Sequence, residues 1–273
     1  MPELPEVETI VRYLRPRICG RRILSMESGT MRLFRGSHHQ RITNPKRIYK
    51  HTKRTVIGKE IKNVKRFGKN IALVLSSGDN LLIHLMMTGQ ILLNPKDKKP
   101  HDRMEMRLSG GTRLIFNDTR KFGRVRLVKN PQSLVGSDPL RIRFNDFNKL
   151  VSSRTGALKS VLLNQQVLSG IGNIYADEAL WSAGIHPLRK ASDLSATELK
   201  GLYRACRSVL NTAIKKEGTT FRDYRKPDDS EGGYYAIRKV YQRTGERCSR
   251  DGAIIKRIVI GQRATHYCPK HQV

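Results

Sequence analysis

IALVL at residues 71–75 and LLIHL at 81–85, joined through the turn SSGD at 76–79, decide the fold class of this chain. Each apolar run is short and bounded by turn formers, so the pair reads as consecutive strands and not as helix. Working outward, MEMRL (104–108), RLIF (113–116) and RVRLV (124–128) continue the pattern, separated by NPKDKKPHD and SGGT turns. Met104, Met106 and Leu108 alternate with Glu105 and Arg107, so one face of that strand is wet and the other packed. Residues 55 to 128 are therefore expected to form a β-sandwich or barrel-like domain.

Before the strands, Val7, Ile10, Val11 and Leu14 fall at i, i+3, i+4 and i+7, one apolar helical stripe, with Glu3, Glu6 and Glu8 near its positive end. A helix thus begins almost at the N-terminus. After the strands, VGSDPL (135–140) marks a boundary, and the pattern turns helical, with Leu158, Val161 and Leu162 on one face and Ala176, Leu180 and Ala183 on another. This helical domain is expected to reach about Lys216. Residues 218–235, GTTFRDYRKPDDSEGGYY, look too polar to pack and too long for an ordinary connection, which predicts a mobile functional loop.

Charge narrows the partner. Lys and Arg number 53 against 23 Asp and Glu, a formal net charge of +30 spread along the whole chain, which calls for a polyanion. No apolar run approaches the roughly 18 residues of a membrane span, and none forms a signal peptide, so the expectation is a cytoplasmic protein on nucleic acid and not on a membrane. The four cysteines are too few and too scattered for a disulfide framework, and Cys19 and Cys206 read as small buried hydrophobes.

Three constellations carry chemistry. GIGN (170–173) lies between helical stripes and predicts a tight turn with Asn173 as a helix N-cap, offering backbone N–H groups to a phosphate; the same glycines also suit a purely structural turn. Near the C-terminus, Cys248, Asp251, Cys268 and His271 have the x2, x16, x2 spacing of a four-cysteine zinc ribbon, with two cysteines replaced. Either one zinc ion per chain or a metal-free hairpin held by Ile254, Ile255, Ile258, Val259 and Ile260 fits this stretch. Finally, removal of Met1 would expose Pro2 as a secondary amine with a pKa of about 7.7–8.0, a nucleophile able to form an iminium with a sugar carbon.

MPELPEVETI at the start, HLMMTG at 84–89, NDTRKFG at 117–123, GIGNIYADEALW at 170–181 and GQRATHYC at 261–268 occur together and in that order. On these motifs the whole chain resembles the formamidopyrimidine-DNA glycosylases, bacterial repair enzymes for oxidised purines. PELPE, in place of the PEGPE of the sister endonuclease VIII enzymes, favours the purine branch.

The resemblance implies an α+β fold: an N-terminal β-sandwich opened by a catalytic helix (1–136), a helix–two-turn–helix domain (137–224), and the rest of a lesion loop with a zinc-ribbon-like hairpin finger (225–273). It also implies a monomer that binds damaged double-stranded DNA between its domains. In that scheme Pro2 attacks C1′ of the damaged nucleotide, Glu3 shuttles protons, and β- and then δ-elimination cuts the strand. Lys69 joins the catalytic group by gripping the phosphate near the lesion. His84, Lys159, Asn173, Tyr241 and Arg263 match positions that contact the DNA backbone. Met87, Arg120 and Phe122 match the trio that fills the gap left by the everted base, which offsets unstacking with new contacts. The finger departs from the four-cysteine pattern at Asp251 and His271, and DTRKFG stands where DPRRFG is expected. An oxidised-pyrimidine or abasic-site lyase of the same superfamily, and a non-catalytic DNA-binding protein, are the rival readings.

Overall fold

The computed structural model describes residues 1–36 and 44–273. The chain forms two compact units, one from Met1–Leu134 with Glu217–Gly232, the other from Val135–Lys216 with Gly233–Val273. Among the described residues no helix is long and apolar enough to cross a membrane.

The first unit starts with α1 (Leu4–Ile18), whose stripe of Val7, Ile10, Val11 and Leu14 is fully buried. Then come β1 (Ile23–Ser28), α2 (Pro45–Val56), β2 (Ile61–Phe67), β3 (Asn70–Leu75), β4 (Asn80–His84), β5 (Gly89–Leu93), β6 (Asp102–Leu108), β7 (Thr112–Asp118) and β8 (Arg124–Val128). They make two four-stranded sheets, ordered β1-β6-β7-β5 and β2-β3-β4-β8, with antiparallel neighbours throughout. Met26, Met106 and Phe116 of the first sheet join Val64, Ile71 and Ile83 of the second, with the α1 stripe, in one apolar core. Burying each such side chain contributes about 1.5–3 kcal/mol, which is what closes the sandwich.

Glu217–Gly232 departs from the sequence expectation. It is polar, yet Tyr224 is buried and belongs to the core of the first unit. The Tyr224 hydroxyl donates to Glu217 O at 3.2 Å, Leu93 N–H donates to Pro227 O at 3.0 Å, and the Gln90 amide donates to Asp223 O at 2.6 Å. One aromatic ring and bonds to main-chain atoms hold a segment whose average composition looks unable to pack.

The second unit contains α3 (Phe144–Ser152), α4 (Leu158–Leu163), α5 (Asn173–Ala183), α6 (Ala196–Lys215) and the antiparallel hairpin β9 (Lys256–Ile260) and β10 (Arg263–Tyr267). α6 begins with a capping box in which Ser195 and Glu198 exchange hydrogen bonds. Central α5 has Tyr175 through Trp181 all buried. Its residues Asn173, Asp177 and Trp181, spaced i, i+4 and i+8, share one side, and each reaches the C-terminal finger. The Asn173 amide donates to Ala264 O at 3.0 Å, Asp177 accepts from His266 N–H at 2.9 Å, and the Trp181 indole N–H donates to Cys248 Sγ at 3.3 Å.

Asp177 also pairs with Lys159 of α4, Oδ1 to Nζ at 2.6 Å, and both side chains are inaccessible. The same ammonium donates to Thr265 Oγ1 at 2.8 Å and Ala264 O at 3.0 Å. Removing one member of a buried pair leaves a charge in a poor dielectric, which costs about 3–5 kcal/mol. Asp177→Ala is therefore expected to destabilise the protein by about that amount, read as a lower urea midpoint with loss of hydrogen-exchange protection in β10; a change under about 1 kcal/mol would show that the pair does not hold the finger.

Candidate functional site

Glu3 lies in extended conformation (φ −108°) just before α1 and is only 3 % exposed. Its N–H donates to Glu6 Oε2 at 2.7 Å, and the other oxygen of Glu6 accepts from Thr219 N–H at 2.7 Å. Glu6 thus joins the start of α1 to the 217–232 segment, and Gly218 (φ +86°) allows the approach, because a Cβ there would crowd Glu6. Pro2 is buried behind an exposed Met1. Glu6 was not singled out as a site residue by the motifs, although its position three after Glu3 is the capping-box spacing.

α1 packs on β2 and β3. Glu8 accepts from Arg66 Nε at 2.9 Å, anchoring α1 to the end of β2 that leads into the turn carrying Lys69, itself 6 % exposed. His84, at the end of β4, accepts at Nδ1 from Met86 N–H at 3.0 Å, which places its proton on Nε2. Burial first, and then the charges of Lys69, Arg124 and Arg126, lower its pKa to about 4. His84 is therefore a neutral N–H donor at neutral pH, and its stabilising neutral form is lost only as pH falls from about 6.5 toward 4.

Two loop tips of the first unit bring Met87, Arg120 and Phe122 together. Met87 is 42 % and Phe122 46 % exposed, the Arg120 guanidinium lies 4.6 Å from the Phe122 ring centroid, and Arg120 Nη1 is 3.3 Å from Met87 Sδ. Both tips contain a left-handed non-glycine residue, Met86 (φ 54°) and Lys121 (φ 58°), a conformation that persists only when its surroundings enforce it. Met86 is held by its N–H to His84, and the two tips are tied together by Asp118, fully buried at the end of β7. Its Oδ1 accepts from the Thr88 hydroxyl at 2.6 Å and from Arg120 N–H at 3.2 Å, and its Oδ2 from Gly123 N–H at 2.8 Å. The apolar exposure of the tips and the knot beneath them make a preformed wedge.

In the second unit, Gly172 is the cap of α5 and Asn173 its first helical residue, so the helix starts one residue earlier than expected. No acidic residue occupies the first turn, so the positive end of the helix is not neutralised by its own sequence. Tyr241 is held by its N–H to Glu178 Oε1 at 2.9 Å, and Glu178, buried, also accepts from Val240 N–H at 2.9 Å and Lys239 N–H at 2.8 Å. Arg263 stands exposed beside the turn Gly261–Gln262 of the hairpin. Lys159, expected at the DNA backbone, is instead fully buried, and its bonds make it a support for the hairpin.

Cys248, Asp251, Cys268 and His271 converge, with one donor atom from each lying within 4.8 Å of the others. His271 Nε2 faces Trp181 O at 3.2 Å, which leaves Nδ1 turned toward Asp251 (2.7 Å) and Cys248 (3.7 Å). The aliphatic residues do less than expected: Ile255 and Ile260 are buried, but Ile254 is 48 % and Val259 62 % exposed. The finger's own apolar cluster is small: Trp181, Val240, Cys248, Ile255 and Cys268.

Residues 1–125 match the family model of the formamidopyrimidine-DNA glycosylase N-terminal domain, and residues 135–225 that of the formamidopyrimidine-DNA glycosylase H2TH domain. The chain belongs to the formamidopyrimidine-DNA glycosylase family. Within that family it is 38 % identical to the Solibacter usitatus enzyme over 275 residues, spanning 100 % of this chain and 99 % of the relative. It is 39 % identical to the Roseiflexus enzyme over 283 residues, spanning all of both chains. Lactococcus lactis Fpg, solved in complex with DNA containing an abasic site, shares the fold at a TM-score of 0.86 with 32 % identity, covering 99 % of each chain. A Lactococcus lactis Fpg (MutM) complex with Fapy-dG DNA matches equally well, at 0.86 and 32 % over the same coverage.

The paired loop tips give a direct test. Asp118→Ala strands the buried N–H of Gly123, at a cost of about 1–3 kcal/mol, and unties Thr88 from β7. Expected outcomes are a stability loss in that range by urea unfolding and weaker binding of a lesion duplex; unchanged values for both would mean that Asp118 does not shape the tips.

Proposed function

We infer that this chain is a DNA glycosylase of base excision repair that removes oxidised purines, 8-oxoguanine and formamidopyrimidines, and nicks the strand as an AP lyase. The observation that carries the reading is the Glu6 carboxylate, which binds the N–H of Glu3 and the N–H of Thr219 at once. It keeps the start of α1 in register with the segment matched to the family's lesion loop.

After Met1 is removed, the Pro2 amine, partly unprotonated near neutral pH, attacks C1′ of the damaged nucleotide, and the C1′–N bond to the base breaks. Glu3, buried beside the nucleophile, delivers a proton as the sugar ring opens and accepts one afterwards, since general acid–base work requires hydrogen-bond reach. Opening leaves an iminium between Pro2 and C1′. That cation acidifies the C2′ hydrogens, so β-elimination expels the 3′ phosphate and δ-elimination the 5′ phosphate. Lys69 and the neutral His84 hold phosphates at the lesion, while Asn173, Tyr241 and Arg263 hold the backbone from the second unit. Met87, Arg120 and Phe122 fill the vacated stack, with Arg120 bonded to the orphan cytosine.

The finger suits one zinc ion. Two thiolates, an imidazole and a carboxylate are acceptable zinc donors, and a tetrahedral site with bonds of about 2.0–2.3 Å needs donors only about 3.3–3.8 Å apart. Zinc here would be structural, stiffening a hairpin with little apolar packing so that Arg263 is presented.

Borohydride should trap the protein covalently on a duplex with one 8-oxoguanine opposite cytosine, with intact mass showing loss of Met1, and Pro2→Gly should weaken the adduct strongly. An adduct confined to oxidised pyrimidines would favour the sister lyase, and none on any substrate would leave a DNA-binding protein. For the metal, elemental analysis is expected to give one zinc per chain, and its removal by a chelator should red-shift the emission of Trp181, the chain's single tryptophan. Zinc loss with an unchanged spectrum would separate the ion from the α5 contact.

A further inference from the structure

Strand β8 carries an arginine pair that no motif accounts for. The register aligns Arg124 with His84 and Arg126 with Leu82, so both arginines share the outer face of the second sheet with His84, while Val125 points into the core. Arg35 joins them: its N–H donates to Val125 O at 3.0 Å, and Phe34 bridges to Val125, which fixes the Arg35 backbone against β8.

These cations are not neutralised from within. None of the three has an ion pair among the described residues, although most of the chain's carboxylates have one or accept hydrogen bonds elsewhere. Nε of Arg126 is shielded from solvent and has no hydrogen-bond partner there either. Burial, then the charges of Arg124 and Arg35, weaken the hold of Arg126 on its proton, and Arg124 and Arg126 also act on His84. A convergence of like charges on a β-sheet face works against folding, and a bound anion with several acceptor oxygens would relieve it.

We propose that Arg35, Arg124 and Arg126 form an anion site for a phosphodiester of the DNA, continuing the phosphate track from His84 along β8. Guanidinium groups suit this ligand because their planar forks match phosphate oxygens bidentately. The inference rests on the DNA-binding part of the function proposed above and not on its excision chemistry. Contacts of this kind carry no base information, so they would act equally on damaged and intact duplex.

The test is the salt dependence of duplex binding, measured by anisotropy for the wild type, for R124Q/R126Q, and for K50Q/R54Q, which removes two charges from the exposed face of α2. Each phosphate contact contributes a slope of about −0.9 in log K against log salt. R124Q/R126Q should therefore flatten the slope by about 1 on both damaged and intact duplex, with K50Q/R54Q leaving it near the wild-type value. Shortening the duplex from one end should abolish the difference between wild type and R124Q/R126Q. Inorganic phosphate at millimolar concentration should compete poorly; tight competition would assign the site to the free ion and overturn the duplex assignment. Equal slopes for the wild type and R124Q/R126Q, or equal flattening by both variants, would overturn the proposal while leaving the glycosylase reading intact. A wild type that fails to bind duplex would overturn both.

Discussion

A chain with 53 cationic and 23 acidic residues must keep its like charges from driving it apart, and a few inward-facing carboxylates do this. Glu6, Glu8, Asp118, Asp177 and Glu178 are buried or nearly so, and each accepts from a distant part of the chain: Asp118 from a hydroxyl, the others from backbone N–H groups or a cation. Acids used in this way leave the surface to lysine and arginine. The large positive charge is then compatible with a packed interior, because internal satisfaction of donors is separated from the external field that attracts a polyanion.

Much of this was legible in the sequence. β3, β4, β6, β7 and β8 stood out because short apolar runs and turn chemistry agreed, whereas β5 did not, and the α1 stripe stood out because its apolar positions repeat at helical spacing. α2 did not, since Ile48, Thr52 and Val56 are its only buried residues and a crowd of cations hides them. β1 was obscured in the same way by the polar residues in ILSMES. The joint motifs marked Pro2, Glu3, Met87, Arg120 and Phe122 as candidates, and the structure brings the last three together at loop tips. Glu6, Asp118 and Glu178 were not, because their partners are main-chain N–H groups, which leave no mark in a sequence.

The segment 217–232 shows where averages mislead. Composition marks it as unable to pack, and most of it is indeed polar, but one tyrosine in the core and one N–H on Glu6 are enough to seat it. Lys159 is the converse. A cation in a highly basic protein suggests surface, yet its place opposite Asp177 makes it an internal strut of the finger.

The left-handed residues at Met86 and Lys121 bear on how a lesion would be found. The tips that carry them are tied together by the Asp118 carboxylate, through contacts made without DNA. A probe with a fixed shape needs no ordering step at each base pair it meets, so the time spent per position is governed by the duplex and not by the protein. What such a probe senses is how easily a step unstacks, a mechanical property of the DNA that precedes any chemical reading of the base.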